Sequence, residues 1–588
     1  MQGYLSLILH AHLPFVRHPE HPRFLEENWL FEAITETYLP LLRVLEGWSK
    51  DGMQAPITLT FSPTLCSMLL DPLLQSRYRR HLHDLIELAD KETHRTLWEK
   101  PLHQLAIAYL ERFRGIREYY DACGGNLIAR FAQLQDKGLI EIATCSATHA
   151  LLPLLAEHPP SVRAQVLVAR DHYRSCFGRD PQGIWLPECA YVPELETPLC
   201  EAGLRWFVLD THGVLQAHPP PRYGIFAPIV TPNGLAVFGR DLASAKQVWS
   251  RDEGYPGDPW YRDFYRDIGF DLDLDYLRPY LAAPEQRSFT GIKYHRITGS
   301  NPGKAVYQPQ MALARADEHA GHFLAARIEQ IGRLTQIMDS PPILLCPYDA
   351  ELFGHWWYEG LEFLNYFVRK AYFDQQTFRL TTPGAFLRQH RTHQVASPAP
   401  SSWGEQGYWG MWLNETNEWI YPHLRVAQER MTELVQRFQP SLAGPDAKSK
   451  GASSSRETPS LLSPRQALHD RGTSGSPSPQ PSPPGEGEQG APSSVEVAAA
   501  FAPQTEALRQ RALRQAAREL LLAQASDWPF ILRTGTSPEY ARKRVTEHLQ
   551  RFNELYEQLL ESRLDESWLA QIESQDEIFP AIDHRYFG

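Results

Sequence analysis

Trp185-Leu186-Pro187-Glu188-Cys189-Ala190-Tyr191-Val192-Pro193 is the stretch from which the architecture is read. It follows Gly183-Ile184, a short apolar run of the buried-strand type. A carboxylate then stands between two prolines, flanked by aromatics. Proline fixes its own backbone angle and removes a donor, so Glu188 is aimed by a stiff frame. Aromatic faces beside an acid suit a sugar site, where ring faces stack and the acid does the bond chemistry. The plainer reading is a strand end carrying an ordinary surface glutamate. Other segments decide between the two.

Working outward, the same grammar recurs. Pro341 to Cys346 is a continuous apolar run, as in a strand buried on both faces, and it leads into Pro347-Tyr348-Asp349-Ala350-Glu351-Leu352-Phe353-Gly354-His355-Trp356-Trp357. Tyr4 to Leu9 runs into His10-Ala11-His12-Leu13-Pro14, where the two histidines share one side of an extended chain. Leu139 to Thr144 leads to Cys145-Ser146-Ala147-Thr148-His149. Each buried-type strand delivers ionisable groups at its C-terminal end, as in a parallel α/β barrel whose active site gathers at that face. Further strands are expected at 56–61, 206–210 and 235–239, making about seven, with amphipathic stretches such as 102–120 and 312–338 between them.

The chain has 588 residues, a net charge of −12 and 43% hydrophobic residues. No basic stripe stands out, so no nucleic-acid partner is expected. No run of about 18 apolar residues exists, so no membrane span is expected. The start goes straight into a strand without a basic, then apolar, leader. The seven cysteines are scattered and show no CxxC, which points to a reduced, cytoplasmic protein. Cys145, Cys189 and Cys346 sit at strand ends and read as small packing residues rather than nucleophiles. Fifteen Trp, 25 Tyr and 26 Phe cluster toward the strand ends, which favours a carbohydrate groove.

A catalytic barrel is expected over 1–400, with a lid or insertion at about 213–290 whose part from 241 is rich in Asp, Tyr, Arg, Pro and Gly. A helical C-terminal domain is expected over 401–440 plus 495–588, contributing to the groove. Between them, 441–494 is rich in Pro, Ser and Gly and too poor in apolar residues to order itself, so it reads as a disordered linker.

The ordered set His10 to Pro14, Gly138 to His149, Gly183 to Tyr191, Pro347 to Gly354 and Trp403-Gly404-Glu405-Gln406-Gly407-Tyr408-Trp409 resembles the motif set of glycoside hydrolase family 57. One motif alone would say little; five in order are specific. Within that family the chain looks most like the 1,4-α-glucan branching enzymes. The 239–258 segment, Trp412-Leu413-Asn414 and the helical C-terminal domain with Ala525-Ser526-Asp527-Trp528 carry that likeness. The linker departs from the typical member.

The resemblance implies a distorted (β/α)7 barrel and a retaining mechanism that cleaves α-1,4 linkages and transfers the glucan to a 6-hydroxyl. Glu188 matches the family's nucleophile and Asp349 its general acid/base, with the charge of Glu188 expected to hold Asp349 protonated. His10, His12 and His149 are expected to ring the sugar beside the scissile bond. Trp29, Trp260, Trp403 and Trp412 are expected along the groove, with Arg251 and Asp527 as polar contacts. No metal or cofactor is implied, an α-glucan is the partner, and a monomer is expected. Glu351 and Glu405 are second choices for the acid. The rivals are an α-amylase or 4-α-glucanotransferase of the same family. A metal-dependent polysaccharide deacetylase is a more distant rival, for which no HxxxH with a strand-end Asp is found, and so is a non-catalytic glucan-binding protein.

Overall fold

The computed structural model of the protein describes residues 3–250, 253–283, 285–299, 303–438 and 494–588, the last with side chains from 506. Arg251 and the stretch 441–493 lie outside the described residues.

Among the described residues ten strands form the sheet: β1 Gly3–Ala11, β2 Ile57–Phe61, β3 Ile140–Cys145, β4 Gly183–Trp185, β5 Trp206–Leu209, β6 Ile229–Val230, β7 Ala236–Gly239, β8 Ile343–Asp349, β9 Phe378–Leu380 and β10 Gln394–Val395. Seven of them run parallel in the order β7-β5-β4-β3-β2-β1-β8. The circle closes at a narrow seam. Asp241 N–H donates to Leu345 O at 2.9 Å, and Arg240 bridges Leu345 in parallel. Below the seam β6 lies antiparallel on β7 and takes the flank that β8 would need, while Ile343 N–H turns to Phe226 O at 2.9 Å. This wedge is the physical content of the distortion in the (β/α)7 barrel. β7 lies inside the 213–290 range read as a lid, so the irregular cover proper begins beyond it.

The parallel strands are apolar on both faces because helices cover the outside and side chains fill the inside. Ile8, Ala143, Trp185, Trp206, Phe238 and Leu345 fill the lumen. Cys145 and Cys189 pack in that same cluster, as small residues under the site. Gly183 is required at its position, because a Cβ there would meet the Trp206 ring at 2.1 Å. Helices such as Lys100–Ala122 and Pro309–Ile337 appear where the apolar spacing placed them.

Among the described residues, the cover between Asp241 and the helix starting at Pro309 has only short helices. It is held from within. The fully buried Asp267 carboxylate accepts Gly269 N (2.8 Å), Thr290 N (2.9 Å), Thr290 Oγ1 (2.7 Å) and Gly291 N (2.9 Å), with Lys293 Nζ at 3.4 Å. The C-terminal helices Ile420–Phe438, Ser494–Ala523, Asp527–Thr534 and Pro538–Leu560 pack together, and the turn at Ala525-Ser526 docks on the end of β3. There Ala150 bridges Ala525, and Thr148 Oγ1 donates to Leu521 O at 2.5 Å.

Candidate active site

The strand ends meet in a cavity of about 1020 Å³ whose wall includes His10, His12, His149, Glu188, Asp349 and Trp403. That volume lies at the upper end of small-molecule pockets, roughly 300–1,000 Å³, so the cavity accepts more than one sugar ring. Register explains the grouping. In-register neighbours on parallel strands point the same way, and His10 on β1 pairs with Thr60 of β2 on one side and Asp349 of β8 on the other.

Glu188 is held in a left-handed backbone conformation (φ 61°, ψ 23°), which costs a non-glycine residue of order 1–3 kcal/mol. Its frame overcomes that cost. Trp403 N–H donates to Glu188 O at 2.9 Å, and the Trp403 indole N–H donates to Glu188 Oε2 at 2.5 Å. Trp403 in turn lies edge-on to Trp185 and under the Arg240 guanidinium, 5.3 Å from its ring centre. His149 is strained in the same way (φ 55°), and its carbonyl is likewise pinned, by Ser526 N (3.2 Å) and Ser526 Oγ (2.6 Å).

Burial pushes Glu188 up to about 8, helped by the charges of Asp349 and Asp527 and opposed by the Trp403 N–H. Burial also lifts Asp349 to about 7, against His12 and Arg240. The expected cause, the charge of Glu188, plays no part at Asp349: burial alone raises it. Glu188 therefore holds its proton more tightly than Asp349 in the empty cavity, the reverse of what attack requires, and the Trp403 N–H works against that order by favouring the anion on Glu188. Burial raises Glu351 to about 8 as well, while Tyr38 donates to it at 2.5 Å. Tyr38 reaches it from a five-residue π-helix, Ile34–Tyr38, which also brings Thr37 to Phe353 O (3.0 Å) and Glu36 to His355 (2.7 Å). Such π turns are frequent beside functional sites. Glu351 thus braces the Asp349 loop, and its Oε1 also accepts the His12 N–H at 3.2 Å.

Replacing Trp403 by Phe keeps the ring and removes the donor. The Glu188 carboxyl then rises further, so the acidic limb of kcat/KM shifts to higher pH and turnover falls about ten- to a hundredfold, as for loss of one hydrogen bond to a charged group. A pH–rate profile whose acidic limb stays in place removes this role.

The histidines also gather. His12 and His149 rings stack at 3.7 Å, and His10 stacks on Trp185 at 4.9 Å. Burial keeps His10 and His149 well below the usual imidazole range, hence neutral. Asp527 reaches His12 Nε2 at 3.0 Å from the C-terminal domain.

The other aromatics fall elsewhere. Trp412 is buried behind the Trp403 turn, where it crowds Gly404. Trp29 packs edge-on to Tyr540, and Trp260 lies under Arg296, 4.8 Å from its ring centre. None of these three is on the cavity wall. The wall instead carries Trp249, Phe264 and Trp356, with Phe264 stacked on Trp356 at 4.4 Å. Sequence reasoning missed Phe264, Thr60 and Arg240 as parts of the site, though Thr60-x-Ser62 repeats the strand-end spacing of His10-x-His12. Glu405 does not line the cavity.

Comparison with known proteins matches this geometry. The profile described as Glycosyl hydrolase family 57 matches residues 6–399, and the one described as 1,4-alpha-glucan branching enzyme, C-terminal, matches 490–587. A 1,4-alpha-glucan branching enzyme of Thermococcus kodakarensis is 30% identical over 619 residues, covering 99% of this chain and 78% of that protein. The crystal structure of the alpha-amylase AmyC from Thermotoga maritima is 38% identical with a TM-score of 0.84, covering 100% of this chain and 99% of that one. The branching enzyme of Pyrococcus horikoshii is 29% identical with a TM-score of 0.80, covering 100% and 97%. With the five motifs lining one barrel mouth and the family profile spanning most of the sequence, the chain belongs to glycosyl hydrolase family 57.

Proposed function

We propose that the protein is a 1,4-α-glucan branching enzyme. Glu188 attacks the anomeric carbon of the glucosyl unit held among His10, His12 and His149, and its carboxylate forms a glycosyl ester. Asp349 gives its proton to the departing 4-oxygen. It then takes the proton of an incoming 6-hydroxyl, which displaces Glu188 and leaves an α-1,6 branch. Two carboxyls in these roles retain the anomeric configuration. Carbon–oxygen bonds break and form in equal number, and no redox step is involved.

The observation that carries the reading is the C-terminal domain. The branching-enzyme profile matches it, and it sends Ser526 and Asp527 into the wall around His149 and His12. Seven free cysteines, four of them buried, support a reducing, cytoplasmic setting. Among the described residues no helix is long and apolar enough to cross a membrane. We take the protein to act as a monomer on a soluble α-glucan. Arg251, Trp29 and Trp260 are proposed as outer-groove residues, and the buried Trp412 as a support behind the Trp403 turn.

The likeness to AmyC favours a second reading, an α-amylase, in which water takes the glycosyl group. The carboxylate pair serves both. Water at about 55 M loses to a 6-hydroxyl only if the acceptor is positioned, an effect worth several kcal/mol. Trp249, Phe264 and Tyr265 are among the cover residues that face the cavity, and Phe264 stacks on Trp356 of the Asp349 loop. Incubation with amylose, followed by proton NMR, counts new α-1,6 linkages against new reducing ends. Branches dominate for a branching enzyme; reducing ends alone mean an amylase. Phe264→Ala opens the cover and shifts that ratio toward reducing ends, and an unchanged ratio removes the water-screening role.

A further inference from the structure

A second chemical cluster lies on the helices outside the barrel, away from the strand ends. The helix Pro63–Leu70 packs against the helix Pro159–Phe177. Cys66 and Ser67 of the first face His172 and Cys176 of the second, and those two lie one helical turn apart. His172 Nε2 is 3.2 Å from Ser67 Oγ and 3.6 Å from Cys176 Sγ. Ser67 gives its one proton to Pro63 O at 2.9 Å, so it accepts from His172, and the imidazole carries a hydrogen on Nε2. That N–H is presented to the Cys176 sulfur as well. The Cys66 thiol donates to the same sulfur from the neighbouring helix. Cys176 is half-buried, whereas Cys66 is only 2% exposed.

The thiolate is the reactive form of cysteine, and donors aimed at the sulfur favour it. Cys66 and His172 hold the Cys176 thiol below its ordinary range, against burial. Burial instead pushes up the half-buried Cys123 and the exposed Cys200. We infer that Cys176 is a peroxide-reactive thiol with Cys66 as its resolving partner, so that the two close a reversible disulfide between these helices. A reactive thiol beside a second cysteine is the arrangement of redox sensors, and disulfides in a reducing compartment are of this transient kind.

The Cys176 thiolate attacks one oxygen of hydrogen peroxide. The S–O bond forms, the O–O bond breaks, and the departing hydroxide takes the proton of the Cys66 thiol. The Cys66 thiolate then attacks the Cys176 sulfur. The S–S bond forms, the S–O bond breaks, and the second hydroxide takes up the proton that Cys176 lost on ionising. Two thiols give up two electrons, and peroxide becomes two waters.

The bond bears on the sugar site. Ser62 caps the helix that carries Cys66, its Oγ taking Leu65 N–H at 3.3 Å and standing 2.8 Å from His12 Nδ1. One turn on, Cys66 N–H donates to Ser62 O at 3.0 Å. A covalent bond holds two sulfurs closer than a hydrogen bond does, so it draws this short helix, and with it the hydroxyl on His12, toward its neighbour.

The test titrates the full, reduced chain with hydrogen peroxide, quenches by alkylation and maps the cysteines by peptide mass spectrometry. A Cys66–Cys176 cross-linked peptide appears first and disappears with dithiothreitol, while the more exposed Cys200 stays free. Cys176→Ser abolishes the cross-link, and Cys66→Ser leaves a sulfenic acid on Cys176 that dimedone traps. His172→Asn slows alkylation of Cys176 by iodoacetamide roughly tenfold at neutral pH and moves its pH profile upward. Thermal melts check that each variant folds; where one does not, the wild-type map decides. No cross-link at a dose that oxidises Cys200 overturns the site. In wild type, and not in Cys176→Ser, oxidation lowers kcat/KM on amylose roughly tenfold, and dithiothreitol restores it. Cross-linked enzyme with unaltered kcat/KM overturns the link to His12. The activity arm rests on the glucan reading, whereas the mapping does not, so the two failures are distinguishable.

Discussion

Replacing Glu188 by Gln removes turnover on amylose, by at least about a thousandfold, while the fold persists. The side chain keeps its size and its contact with the Trp403 indole, but an amide cannot form the glycosyl ester. Retention of more than a few per cent of wild-type turnover excludes Glu188 as the nucleophile. The same variant carries a stability signature. The Glu188 carboxyl titrates near its ordinary 4.5 in the unfolded chain and is raised to about 8 in the fold. Protonated Glu188 suits its site, so its contribution is fully present at low pH and is lost as pH rises from about 4.5 through about 8. Each unit is worth about 1.4 kcal/mol, although solvent in the cavity discounts the sum to a few kcal/mol. Glu188→Gln has no charge to bury. Its melting temperature matches wild type below pH 4.5 and exceeds it increasingly up to pH 8. A gap that shrinks with rising pH contradicts the buried-carboxyl account.

Asp349→Ala gives the second large loss, about 10²- to 10⁴-fold on amylose, the usual range for general acid–base catalysis. The loss depends on the leaving group. A glucan 4-oxygen needs a proton, whereas an activated aryl glycoside leaves without one, so the first step survives on that substrate and the glycosyl-enzyme accumulates. Intact-protein mass spectrometry detects the adduct on Glu188. Equal losses on both substrates, with no adduct, take the acid role from Asp349 and turn attention to Glu351, the other raised carboxyl on the same loop.

The barrel strands were legible because burial on both faces demands unbroken apolar runs, and such runs are rare outside parallel sheets. The strand-end residues were legible because a parallel barrel gathers all its C-terminal ends at one mouth. Other features leave no local trace. The π-helix at Ile34–Tyr38 reads as ordinary helix, since its register depends on contacts some 300 residues away, such as Tyr38 to Glu351. Trp29, Trp260 and Trp412 are the same chemical type as Trp403, and an indole does not announce whether its face meets a sugar or a neighbouring side chain. The wedge of β6 beside β7 comes from a two-residue strand, too short for periodicity to register.

The docking of Ser526 and Asp527 on the strand-end histidines has a consequence in time. His12 leaves the ribosome 515 residues before its partner Asp527. At about 5–20 residues per second, that is an interval of roughly 25 to 100 s in which a barrel can form with its mouth unfinished. During that interval His149 lacks the residue that pins its strained backbone, and His12 lacks its carboxylate. If those contacts are needed for turnover, the nascent chain is inactive until the last helices dock, and a chain terminated before Ser526 is expected to show no cleavage of amylose.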